Sequence, residues 1–245
     1  MKDNPVYPLA RRQIREYQRL VFRYGKEVRE FLKANRPNTF NKRFIEDYLM
    51  DVAVNLTEST RSQIIGNVET IIGFTLEFYN EQHQGEKLSI HELDELKIDI
   101  FKEFLLSEFK GKTLDQRLHH AERRLRVNLS RELQTFLFRE NTGSKGKISS
   151  IISSISGREY KVGGTALRWN SRLVLSESFR AYQFTAKRVL GELGVEEVKW
   201  VNSPRHEPGG KLIDEYAKKT YKPSELPEYP YPCNDSYFVP IYKTK

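Results

Sequence analysis

The sequence predicts a mainly α-helical protein with a small α+β domain at its C-terminal end. Three observations predict it. Apolar residues recur three or four positions apart, in successive stretches, from about residue 9 to residue 193. Gly194 is well placed to end the last of these stretches. Beyond it, β-branched and aromatic residues gather in two separated runs, 195–202 and 236–243, with a Pro-, Gly- and Tyr-rich stretch between them. The expectation is an elongated helical N-terminal region, 1–110, followed by a region, 111–245, that ends in a few-stranded antiparallel sheet packed on a long helix.

The first helix is expected from about Leu9 to Asn35. Ile14, Tyr17, Leu20, Val21, Tyr24, Val28, Phe31 and Leu32 fall on one face, and Pro37 stops it. Its other faces carry Arg11, Arg12, Arg15, Arg19, Arg23 and Arg29. Such a face is ordinarily solvated; the alternative is a face turned to DNA or to an acidic ring. Residues 40–84 read as two helical stretches joined near Glu58 and Ser59. Ser89 followed by Glu92, and Thr113 followed by Gln116, are capping-box patterns that start two further helices. The second of these carries Leu118, Leu125, Leu129, Leu133, Phe136 and Leu137 on one side, and Arg117, Arg123, Arg124, Arg126 and Arg131 on the others. Gly143 to Gly146 breaks it, a short helix follows at about 148–155, and a loop at 156–164. The last helix is expected at 165–193. Pro240 places the final strand at a sheet edge.

Composition bounds the function. With 38% hydrophobic and 30% charged residues, the 245-residue chain has the make-up of a folded soluble protein. No apolar run approaches the roughly 20 residues that cross a bilayer, and the N-terminus lacks a hydrophobic signal core, so neither membrane nor secretion is expected. Cys233 is the only cysteine, which excludes an intrachain disulfide and suits a cytosolic folding compartment. A net charge of +8 favours acidic partners, although 33 acidic residues are mixed among 41 basic ones and the excess reads as spread along the chain.

Motifs of catalysis are largely missing. There is no phosphate-binding or dinucleotide glycine pattern, no H-E-x-x-H and no G-x-S-x-G. His119 and His120 are helical neighbours about 100° apart, so they form no chelating pair and read as solvated. His206, Glu207, Asp214, Cys233 and Asp235 gather in the C-terminal loop region. One histidine and one cysteine are too few for a zinc centre, so no metal is expected, with His206 and Cys233 the weak candidates. A Cys–His nucleophile pair there lacks an orienting group. Glu177 and Arg180 stand three apart on the last helix: a surface ion pair, or, if that helix packs beneath the strands, a partly buried one that fixes its register.

Arg172, Ser176, Glu177 and Arg180 on one helix are followed by Gly194, by Trp200 on a strand, and by the polar stretch Ser203 to His206. The Pro-rich run from Leu226 through Pro232 and Cys233 comes next, and then Val239 to Ile241. In this order the chain resembles the phage Mu F-like head morphogenesis family of minor head proteins. That family has an Arg-x-x-x-Thr-Glu helix, a glycine, a strand tryptophan, a Cys/His loop, a Pro-His-Pro-Asn-Cys-Arg-Cys segment and a final strand. The resemblance covers about residues 112–243; residues 1–110 match only in being helical. Ser176 stands in place of Thr, Tyr231 in place of His, Asn234-Asp235 in place of Arg-Cys, and Pro204 to Pro208 in place of the Cys-rich loop.

The resemblance implies a minor capsid protein of a tailed bacteriophage, with no catalytic residues and no cofactor. It would be made in the host cytoplasm and present in few copies in the virion head, near the portal vertex. Its expected partners are the portal protein, double-stranded DNA bound without sequence preference, and other capsid or scaffold proteins; no small-molecule substrate is expected. Arg172, Ser176, Glu177, Arg180, Trp200, His206, Pro232 and Cys233 would be the structural motif, and Arg11, Arg12, Arg15, Arg19, Arg123 and Arg124 the DNA- or portal-facing candidates. Two alternatives stand beside it: a metal-dependent nuclease or hydrolase built on His206, Glu207, Asp214 and Cys233, and a basic DNA-binding adaptor with no phage connection.

Overall fold

A computed structural model describes residues 5–157, 165–202, 215–227 and 236–242. Among them are helices α1 (Tyr7–Ala34), α2 (Lys42–Gln82), α3 (Ile90–Leu106), α4 (Leu114–Asn141), α5 (Ile148–Ser156) and α6 (Ala166–Glu192). Strands β1 (Glu197–Asn202), β2 (Thr220–Tyr221) and β3 (Ser236–Ile241) form one antiparallel sheet in the order β2-β1-β3. The protein is thus mainly helical, with a small antiparallel sheet at its C-terminal end.

Both capping boxes form. The Ser89 hydroxyl accepts from the Glu92 amide while Glu92 accepts from the Ser89 amide, and Thr113 and Gln116 do the same. Each satisfies helix N-terminal groups that would otherwise lack partners. At the end of α6, Gly194 takes φ +67°. Its N–H donates to the Gly191 carbonyl and that of Val195 to the Leu190 carbonyl, a Schellman closure that admits glycine most readily.

One expectation needs correction. Residues 42–82 form one unbroken helix of 41 residues, with no joint at Glu58 and Ser59. Nothing there breaks the backbone ladder. The Thr57 and Thr60 hydroxyls donate back to the Ala53 and Leu56 carbonyls at 2.9 and 2.6 Å, and Ser59 bonds the Tyr24 hydroxyl at 2.9 Å. Polar side chains that often signal a turn are here satisfied within or beside the helix. Within the Pro-, Gly- and Tyr-rich stretch 203–232, the described residues include β2 and a 3₁₀ turn at Pro223–Glu225. β2 pairs through Tyr221 and Thr220 with Val198 and Lys199, so β1 lies inside the sheet.

The chain divides into two compact units: unit 1 is 1–13, 64–107 and 175–245, and unit 2 is 14–63 and 108–174. In unit 1 the sheet is anchored on helices α2 and α6. β3 pairs with β1 in the register Trp200 to Phe238 and Val198 to Pro240. β3 is an edge strand, as Pro240 suggested, because a residue with no N–H is tolerated there. Phe238 sends its backbone groups to two buried tyrosines. Its N–H donates to the Tyr182 hydroxyl (3.2 Å), and the Tyr79 hydroxyl donates to its carbonyl (2.9 Å). The two hydroxyls lie 2.7 Å apart. Tyr79 spends its single hydrogen on the carbonyl, so Tyr182 donates to Tyr79 and the ring of hydrogen bonds closes.

Burial pushes the Tyr182 phenol well above its ordinary range, outweighing the lowering by its hydrogen bonds to Tyr79 and the Phe238 amide. The folded state therefore holds the neutral phenol, and its contribution is intact below about pH 10, where the unfolded phenol titrates, and declines as pH rises further. Tyr182→Phe should cost about 1–3 kcal/mol at neutral pH, since it leaves the Phe238 N–H without its partner. The same variant should also soften the loss of stability between about pH 10 and pH 12. Urea titrations at both pH values check this, and an unchanged midpoint at neutral pH would refute it.

Unit 2 is all helical among its described residues. Gly25 lies so close to α5 that a Cβ there would meet the Ser156 hydroxyl at 2.6 Å. The Tyr17 hydroxyl, buried, reaches the Ala166 carbonyl at 3.4 Å. Arg61 grips Asp115 (2.7 Å) and Arg36 grips Glu140 (2.9 Å), tying α2 and the α1–α2 turn to α4. Both pairs are exposed and screened by solvent, so each adds little to stability.

Candidate functional site

The family-like motif of α6 is a structural hub in unit 1. Glu177 is fully buried and pairs with Arg180 at 3.0 Å; the Arg180 side chain is only 12% exposed. The guanidinium lies over the Phe104 ring, 4.4 Å from its centroid, and donates to the Ser107 hydroxyl at the end of α3. One residue on, the Ser178 hydroxyl donates to the Gln13 side-chain oxygen (2.8 Å), and Gln13 donates to the Asn67 carbonyl (3.3 Å). The Gln183 amide donates to the Pro227 carbonyl. One helix thus binds α1, α3, the 222–227 segment and β3 through side chains of only seven successive positions. Of the two openings left by the sequence for Glu177 and Arg180, the buried pair is what forms.

The remaining motif residues divide. Trp200 is fully buried; its indole N–H donates to Asn202 (3.0 Å), which also accepts from the Ser236 hydroxyl (3.0 Å). Its ring meets Phe238 edge-on at 5.2 Å and Tyr216 at the same distance. Arg172 is exposed and Ser176 half-buried. His206, Pro232 and Cys233, with Glu207, Asp214 and Asp235, lie outside the described residues. Among the described residues no group of three or more His, Cys, Asp or Glu converges as a metal site, and no helix is long and apolar enough to cross a membrane.

The candidate arginines occupy different surroundings. Arg11, Arg12, Arg15 and Arg19 are exposed on α1. Arg11 donates to the Tyr7 hydroxyl (2.9 Å) and lies over that ring. Arg19 lines a groove with Glu16, Glu27 and Glu58, so carboxylates offset its charge. Arg123 and Arg124 are exposed on α4, and Arg124 lies 5.5 Å from the Trp169 centroid. The charge excess turns out to be concentrated. Unit 2 holds 24 Lys and Arg against 13 Asp and Glu, a net of +11, whereas unit 1 holds 17 against 20, a net of −3.

α4 contributes six arginines and four carboxylates to unit 2. Its four carboxylates are all engaged: Asp115 by Arg61, Glu122 by Arg126 (2.6 Å), Glu132 near Arg131 (4.0 Å), and Glu140 by Arg36 and the Gly146 N–H (2.7 Å). At its N-terminal end a notch is lined by Gly111, Lys112, Gln116, His119, His120 and Arg123. The notch is shaped by the tight turn before the helix. Lys110 (φ 52°) and Gly111 (φ 70°) are both left-handed, and Phe109 and Lys112 exchange both backbone hydrogen bonds, as in a type I′ turn. His120 is held below the usual imidazole range, first by partial desolvation and then by Arg124, Lys112, Arg123 and His119. Nothing but residue type signals this notch in the sequence, because the turn before α4 is what brings Lys112 to the histidines. Tested against protein-family models, curated proteins and solved structures, the chain matches none of them.

Proposed function

We propose that this chain is a minor head structural protein of a tailed bacteriophage. In this reading it associates with the portal near the head vertex and contacts packaged duplex DNA without sequence preference. The α6–sheet hub serves as a rigid attachment piece, and unit 2 presents positive charge. The observation that carries the reading is the motif Arg172, Ser176, Glu177, Arg180 and Trp200, whose acid and indole are buried structural ties. A carboxylate sealed under an arginine and an aromatic ring is suited to fixing a helix beneath a sheet, and poorly placed to meet a substrate. The net +11 of unit 2 supports contact with a polyanion.

The test is co-purification of the full chain with a tailed-phage portal ring, followed by a nuclease assay with divalent metal. The expected result is co-elution with the ring and no cleavage. Metal-dependent cleavage abolished by His206→Ala would overturn the structural reading in favour of a hydrolase. DNA affinity should fall steeply between low and physiological salt, since phosphate contacts release counterions.

A further inference from the structure

We propose that the notch at the start of α4, formed by Lys112, Gln116, His119, His120 and Arg123, is a phosphodiester-binding site that anchors unit 2 on the backbone of duplex DNA. The inference deepens the DNA contact proposed above and rests on that part of it alone; it does not depend on a portal.

The lining chemistry suits a phosphate. Lysine offers a point charge, arginine a planar fork, and the amide and imidazoles further N–H donors, around an anion that needs several donors at once. Among the described residues no carboxylate lines the notch, and its two sequence neighbours on the helix, Asp115 and Glu122, are held by Arg61 at 2.7 Å and by Arg126 at 2.6 Å. Arg124 and Arg131 are also exposed on α4, to one side of the notch. A helix of 28 residues extends about 42 Å, long enough to follow several phosphates. The net charge of +11 on the unit favours a polyanion over a free ion.

His120 makes the site respond to pH. The charged groups around His120 are Arg124, Arg123 and His119 on α4 and Lys112 from the turn, all repelling its proton. A bound phosphate offsets that repulsion and raises the imidazole pKa, so binding takes up a proton. Affinity should therefore rise as pH falls from about 8 to about 6.

The experiment is anisotropy of a labelled duplex titrated with the full chain across a salt series. Lys112→Gln with Arg123→Gln should weaken binding about tenfold or more and flatten the logarithmic salt slope by about 2. Arg29→Gln with Arg43→Gln removes the same charge from exposed positions of α1 and α2 and should do far less. His119→Gln with His120→Gln should abolish the gain in affinity near pH 6. Equal losses from both charge-removing pairs would overturn the notch while leaving DNA contact intact. Absence of binding by the parent chain would overturn both. Competition by polyglutamate equal to that by unlabelled duplex would also overturn it, and would point to an acidic protein surface.

Discussion

Arg180→Met should lower the unfolding free energy by about 3–5 kcal/mol, because it removes one end of an ion pair whose carboxylate, Glu177, is fully buried. The pair was costly to desolvate when folding buried it. Its partner's removal leaves that cost without the ion pair, while the methionine retains much of the packing on Phe104. Changing both ends, Arg180→Met with Glu177→Gln, should recover a large part of the loss, since a neutral amide needs no counter-charge. A double-mutant cycle by urea unfolding measures this. The chain carries two tryptophans, Trp169 in unit 2 and Trp200 in unit 1, so a Trp169→Phe background makes the fluorescence report unit 1 alone. A single-variant loss below about 1 kcal/mol would show that the pair is not a buried tie.

Trp200→Ala should cost about 3–5 kcal/mol, through the cavity it leaves between Phe238 and Tyr216 and the Asn202 oxygen it deprives of a donor. The Trp200 ring sits on the central strand, so its loss loosens both neighbouring strands. Trp200→Phe keeps much of the volume and should cost less than half as much. Far-ultraviolet dichroism during denaturation checks both. Equal costs for the two variants would show that ring volume is not what Trp200 contributes.

Much of the helical architecture was legible in local pattern. The heptad-like spacing of Leu118, Leu125, Leu129 and Leu133 gave α4, and the Ser89 and Thr113 boxes gave helix starts to the residue. Gly194 and Pro240 were legible because each answers a backbone demand that few residues meet. What failed, failed for want of tertiary information. Glu58 and Ser59 looked like a joint because their polar character is ambiguous; only the Tyr24 hydroxyl opposite Ser59 resolves it. β2 is two residues long and exists only because β1 offers a free side. The partition of charge was invisible because the acidic stretch 64–107 belongs with the chain's two ends, while the basic stretch 108–174 belongs with 14–63. The notch was missed likewise, since adjacent histidines rule out chelation yet say nothing about a lysine brought in by a turn.

The tyrosine ring around Phe238 has a consequence for how separate molecules meet. A terminal strand of a small sheet ordinarily shows unpaired donors and acceptors to its surroundings, a template on which a foreign strand can add. At Phe238 both groups are already spoken for by Tyr79 and Tyr182, and two residues on Pro240 has no hydrogen to offer. Intermolecular strand addition is thereby blocked at two consecutive docking positions, so templated fibre growth along the β3 edge is resisted.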